Sequence, residues 1–231
     1  MTDDVPPPAG VPSGVTVPAG QAVPGSALAA TVVLVRDSET GPEVLLLERP
    51  SDRGSFAGAW VFPGGAVEAD DAGLGAAAVR ETREETGLVL GESDLVELSH
   101  WTPPADTPRR FDTWFFVARA PGGSIALPAA EIVGSQWLRP ADALALHATG
   151  ALTLYPPTWV TLAGLRGDAD VDALLTRISA LEPPHFVGRF APGRVLVWSD
   201  DVAFADDALL EAPGARHRLD LSALPWSYER S

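Results

Sequence analysis

Residues Val61 to Leu90 read VFPGGAVEADDAGLGAAAVRETREETGLVL, and three glutamates, Glu81, Glu84 and Glu85, stand in the second half of this stretch at helical spacing. At about 100° per residue they fall within an arc of roughly 100° and point the same way. Val79, Thr82 and Thr86 are expected on much of the opposite side, facing a packed sheet, with Ala77 among the glutamates and too small to block a ligand. Like charges crowded on one helix face cost stability unless a cation sits between them. Hard carboxylate oxygens suit magnesium or manganese, and magnesium is usually held by a few carboxylates together with phosphate oxygens and water. Taken alone, Glu81 to Glu85 reads as a solvated helix face. Its flanks reverse that reading.

Upstream, Phe62-Pro63-Gly64-Gly65 predicts a turn in which a backbone carbonyl approaches closely. Downstream, Gly87 suits a left-handed helix cap and Leu88-Val89-Leu90 reads as a following strand. Turn, helix, three carboxylates, glycine stop and strand together resemble the Nudix box, the signature of hydrolases that cut a nucleoside diphosphate linked to another moiety. Its pattern is G, five residues, E, seven residues, then R-E-U-x-E-E-x-G-U, with U a bulky aliphatic residue. Arg80 to Leu88 matches the second half, with Thr82 the one departure. In the first half, Asp71 falls where the pattern has glutamate, and eight residues rather than seven precede Arg80. Glu68 and Asp70 are alternatives for the carboxylate that supports the arginine.

The resemblance implies an α/β/α sandwich with a mixed sheet and hydrolysis of a phosphoanhydride. Magnesium (or manganese) would be held by Glu81, Glu84, Glu85 and the backbone carbonyl of Gly64. Arg80 would hold the neighbouring carboxylates in place. Family members differ in the group that takes the water's proton, and Glu131 and Glu81 are the two candidates here. Further upstream, Leu45-Leu46-Leu47-Glu48-Arg49, then Arg53 and Gly58, is similar to the extension before the box in coenzyme A diphosphatases of the peroxisomal type, although Arg53 lies five rather than four residues before the glycine. Trp101-Thr102-Pro103 and Arg110-Phe111-Asp112-Thr113 look like segments of the same branch. That branch implies coenzyme A or acyl-coenzyme A as substrate. Arg49, Arg53, Arg109 and Arg110 are candidate phosphate contacts, and Trp60, Phe111 and Trp114 candidate surfaces for an adenine. ADP-sugars such as ADP-ribose, oxidised nucleotides, and a non-catalytic ligand sensor remain open, since the box specifies the chemistry and leaves the pocket unspecified.

Composition is consistent with this reading. The 231 residues are 46% hydrophobic, enough for a sizeable core. No run approaches the ~18 apolar residues of a membrane span. The absence of cysteine excludes disulfides, zinc thiolate sites and a thiol nucleophile. A formal charge of −15 argues against a nucleic-acid backbone as partner, while a small anion accompanied by magnesium is acceptable. All sixteen basic residues are arginine, which with abundant alanine, glycine and proline suggests a GC-rich bacterial genome. Residues 1–26 alternate proline, glycine, valine and alanine with no hydrophobic period and read as a disordered tail without signal-peptide features, which makes the cytoplasm the default location.

Residues 27–181 read as the Nudix domain and 182–231 as a C-terminal extension packed on it, either prolonging the sheet or forming an interface, a homodimer included. Strands are expected at Ala29 to Val35, Glu43 to Glu48, Trp60 to Phe62, Leu95 to Trp101, Thr113 to Ala118, Ser135 to Leu138, Val195 to Trp198 and Arg216 to Leu221. Helices are expected from Pro140 to His147 and, as a pair separated near Gly167 to Asp170, between Pro156 and Leu181. His100, His147, His185 and His217 are scattered in sequence without metal-ligand spacing and read as ordinary surface or partly buried residues.

Overall fold

The computed structural model describes residues 26–52, 56–107, 110–128 and 132–231. The N-terminal tail up to residue 25, Arg53, Arg109 and Glu131 lie outside the described residues.

The architecture grows from the apolar run at the start of the sheet. β1 (Ala27–Arg36) is buried on both faces over most of its length, the pattern of a central strand in a sheet covered on both sides. β6 (Phe111–Arg119) lies parallel to it along one edge. The other edge is shared by two antiparallel partners, β2 (Glu43–Glu48) beside its second half and β4 (Gly64–Ala66) beside its first. β3 (Trp60–Val61) and β7 (Gly134–Leu138) both pair with β2, and β5 (Val96–Thr102) pairs antiparallel with β6.

Beyond β5 the sheet continues into the C-terminal residues. β8 (His185–Ala191) joins β5 in parallel, and β9 (Val195–Trp198), β10 (His217–Asp220) and β11 (Ser227–Arg230) follow as antiparallel neighbours. The residues after 181 therefore prolong the sheet.

Strand alternation divides the core in two. Ala30, Val32 and Leu34 of β1, Leu45 and Leu47 of β2, and Trp114 and Phe116 of β6 pack against Leu74, Ala77 and Ala78 of helix α1 (Leu74–Thr86). Their neighbours Val33, Val35, Val44, Leu46, Phe115 and Val117 face the other way. They meet α2 (Pro140–Ala148), α3 (Pro156–Gly164) and α4 (Val171–Ser179) through Ala143, Val160, Leu162, Leu174 and Ile178. The result is the expected α/β/α sandwich on a mixed sheet. Proline opens α2 and α3, and the Asp170 carboxylate caps α4 by accepting from Ala173 N–H.

Four local expectations need correction. Gly64 and Gly65 lie in β4 rather than in a free turn. Leu88 to Leu90 forms no strand; Leu88 and Leu90 are anchored in the core, Val89 is exposed, and Thr86 C=O accepts from Ala126 N–H. Ala77 is fully buried in the core, whereas Val79 is only partly buried. Trp114 is also core, its ring stacked 3.7 Å from that of His100, so it offers no surface to an adenine.

Candidate active site

The site is the junction of α1 with β4 and the end of β2. The helix stops at Gly87, whose φ of 75° is left-handed and whose N–H bonds Arg83 C=O, so its last two turns present the glutamates beside the glycine strand. Gly64 tolerates no side chain. A Cβ there would lie 2.5 Å from Ala30 O and 2.7 Å from Thr31 Cα, both backbone atoms of β1. A Cβ on Gly65 would lie 2.3 Å from Glu81 Oε1. The two glycines thus have different tasks: the first lets β4 close on β1, and the second leaves room for the Glu81 carboxylate.

The three glutamates do not share one open surface. Glu85 is buried; its Oε2 accepts from Gly64 N–H at 2.9 Å and its Oε1 from Arg49 Nη1 at 2.9 Å. Glu81 is largely covered, with 15% of its side chain exposed, whereas Glu84 is 58% exposed. Burial pushes the Glu81 carboxyl up from its ordinary range, opposed by the adjoining Arg80 guanidinium. Among the described residues, no three acidic or histidine side chains are already gathered closely enough to enclose a cation.

Among the described residues, Arg49 and Arg80 are the arginines bonded to these glutamates. Arg80 Nη1 donates to Glu81 Oε1 at 2.9 Å and to Glu84 Oε2 at 3.2 Å, occupying the space between them. Its Nε and Nη2 grip Asp71 at 3.0 and 2.9 Å, and Nη2 also reaches Ala66 C=O at 3.0 Å. The bonds to Arg80 hold the Asp71 carboxyl below its ordinary value, and the Asp71 bonds raise Arg80 in turn. Asp71 is therefore the carboxylate that supports the arginine. Glu68 stands 3.9 Å from Arg80 and gives its backbone N–H to Asp71. A shallow depression lined by Ala76, Val79, Arg80, Arg83, Glu84 and Glu92 runs along the outer side of α1.

The other candidates separate from this centre. Arg110 and Phe111 stand at the opening of β6, across from Ala27 and half-buried, and the contacts that bring Arg49 and Arg80 onto the glutamates do not include them. Trp60 is half-buried against the α2–α4 side of the core. The histidines are less scattered than their sequence positions suggest. His100 Nε2 and Thr102 Oγ1 share Asp112 Oδ1 at 2.8 Å each, His185 Nε2 lies 2.9 Å from Thr102 Oγ1, and the two imidazoles stack at 3.9 Å. That polar network within β5, β6 and β8 was not legible from spacing, since the parallel pairing of β5 with β8 assembles it.

A carboxylate helix clasped onto a diglycine strand, within a mixed sheet covered on both faces, defines a Nudix-type domain. The NUDIX domain family profile matches residues 25–157, more than half of the chain, and the chain belongs to that family. The uncharacterized Nudix hydrolase NudL of Enterobacter sp. (strain 638) is 39% identical over 83 residues, 36% of this chain and 41% of the relative. NudL of Citrobacter koseri is 40% identical over 70 residues, 30% and 35% of the two chains. The chain thus spans well under half the length of these relatives. A crystal structure of a NUDIX hydrolase from Alicyclobacillus acidocaldarius superposes with a TM-score of 0.60 at 24% identity, covering 70% of this chain and all of that one, which confirms the fold.

Proposed function

We propose that this protein hydrolyses the diphosphate of a nucleoside diphosphate linked to another moiety, with a divalent cation, magnesium or manganese, as cofactor. The observation that carries the reading is the clasp of α1 on β4: Glu85 on the Gly64 amide, Glu81 above Gly65, and Arg80 joining Glu81, Glu84 and Asp71. The donor set fits the cation chemically. Its oxygens are hard, two of its carboxylates are covered, and each of those two already has a cationic guanidinium against it. Glu81, Glu84, Glu85 and the Gly64 carbonyl would hold the metal, which when bound neutralises the diphosphate and acidifies a water.

The protein's own part is positional and electrostatic. Arg80, braced by Asp71, fixes the Glu81 and Glu84 carboxylates at the helix surface. Glu81 accepts the water's proton, its carboxylate lying against Gly65 with Arg80 bonded to Oε1. Glu131, the other candidate for that role, lies outside the described residues. Arg49 is within the site, and Arg110 and Phe111 would bind substrate farther away along β6.

Coenzyme A or acyl-coenzyme A is the substrate this reading favours, on the segment from Leu45 to Gly58 that precedes the box and that delivers Arg49 to Glu85. ADP-ribose and related ADP-sugars are the alternative. Mass-spectrometric product analysis after incubation with magnesium and coenzyme A, acyl-coenzyme A, ADP-ribose, dinucleotides and nucleoside triphosphates tests it. Adenosine 3′,5′-bisphosphate with phosphopantetheine is the expected product pair. Turnover of another compound alone would discard coenzyme A, and turnover of none would discard the hydrolase reading.

A further inference from the structure

Glu85 is the most deeply placed of the three glutamates, and both its oxygens are engaged. Gly64 N–H meets Oε2, and Arg49, which follows the last residue of β2, brings Nη1 to 2.9 Å from Oε1. Arg49 is separated from Glu85 by 36 positions in sequence. Its backbone is tied down, its N–H bonding Ala59 C=O across the β2–β3 end of the sheet. The Arg49 side chain is 23% exposed against 3% for that of Glu85, and Nη1 is the nitrogen that holds the carboxylate.

We propose that Arg49 is a built-in competitor for the divalent cation, released from Glu85 when the metal enters and then turned onto the incoming diphosphate. This rests on the metal-dependent reading above and deepens it. A guanidinium against a covered carboxylate opposes entry of a second cation by direct repulsion, which at short range near a protein surface is a strong effect. It also gives the Glu85 carboxylate a cationic partner of its own, as Arg80 does for Glu81 and Glu84. A metal that takes the Glu85 oxygen leaves a planar fork of donors anchored at the rim of the site, suited to bidentate capture of phosphate oxygens. Metal and phosphate would then bind with positive coupling, because each removes the reason for Arg49 to remain on Glu85.

The test is Mn2+ titration of the full chain, followed by the electron paramagnetic resonance signal of the free ion, with and without inorganic pyrophosphate. Arg49→Gln is expected to bind Mn2+ at least tenfold more tightly than the unaltered protein when pyrophosphate is absent. Its Mn2+-supported affinity for pyrophosphate is expected to fall at least tenfold. Arg49→Lys, which keeps the charge and loses the fork, should lie near the unaltered protein for Mn2+ and near Arg49→Gln for pyrophosphate; it also carries the test should Arg49→Gln fail to fold. Equal or weaker Mn2+ binding by a folded Arg49→Gln would overturn the competition, and unchanged pyrophosphate affinity would overturn the transfer to phosphate. Glu85→Gln separates the two levels of inference. If it weakens Mn2+ binding while Arg49→Gln has no effect, the metal site stands and the role of Arg49 falls; if no protein in the series binds Mn2+, both fall.

Discussion

Asp71 lies one residue farther from Arg80 than the Nudix pattern places its carboxylate, and it is a shorter acid, yet it receives two of the arginine's N–H groups. The extra residue is absorbed in the loop before α1, which begins only at Leu74. Counting positions could not distinguish Glu68, Asp70 and Asp71, because the choice depends on the path of that loop. Replacing Asp71 with Asn removes the charge that braces Arg80 while retaining the shape. By analogy with partners that orient metal ligands, turnover should fall about 10- to 100-fold, with a small change in melting temperature. Steady-state kinetics checks this, and an unchanged kcat would remove Asp71 from the machinery. Arg49 was legible as a basic residue near a strand end, but its pairing with Glu85 is a product of tertiary structure.

At the scale of elements, β4 and α1 form a lock in which each glycine has a separate cost of substitution. Gly64→Ala drives a methyl group into the backbone of β1, which cannot yield without disturbing the sheet, and should cost about 1–3 kcal/mol. The atoms nearest a Gly65→Ala methyl group all belong to the Glu81 carboxylate, a side-chain end rather than backbone. This substitution should leave stability nearly intact while displacing that carboxylate and reducing turnover at least about tenfold, the scale of loss when a group that orients the metal site is disturbed. Melting curves and rates on the two variants decide the matter; equal stability losses, or full activity in Gly65→Ala, would contradict the assignment. Elements with strong periodicity were legible: β1, β2, α1 with its Gly87 cap, and the proline-opened helices. β4 was not, since three residues beginning with two glycines carry no alternation, and neither was β11, whose residues Ser227–Arg230 are made a strand by pairing with β10. β8 was obscured by Gly188 and Arg189 in the middle of its apolar positions.

At the scale of the whole molecule, the residues after 181 are held by a buried polar centre of their own. The Asp201 side chain is fully buried, accepts from Arg218 Nη2 and Nε at 2.6 and 2.8 Å, and accepts the backbone N–H groups of Ala203 and His217 at 2.8 Å each. Burial pushes its pKa up, but these donors more than offset that and bring it to about 2, against 3.8 unperturbed. A carboxylate lowered on folding adds stability above its unfolded pKa and loses it as pH falls through the folded value. This group should therefore contribute about 2 kcal/mol that disappears between about pH 4 and pH 2. Melting curves across that range should fall more steeply for the unaltered protein than for Asp201→Asn, and parallel curves would contradict the assignment. Among the described residues, no helix is long and apolar enough to cross a membrane. Whether the glutamates clasped to the glycine strand perform the chemistry is decided by comparing the unaltered protein with Glu81→Gln for magnesium-dependent release of a nucleoside phosphate from a diphosphate-linked substrate. Turnover is expected for the first, and a loss of at least about a hundredfold in a variant of unchanged fold, the scale seen when a proton-transfer group is removed; full activity in a folded Glu81→Gln would show that these glutamates do not carry the chemistry.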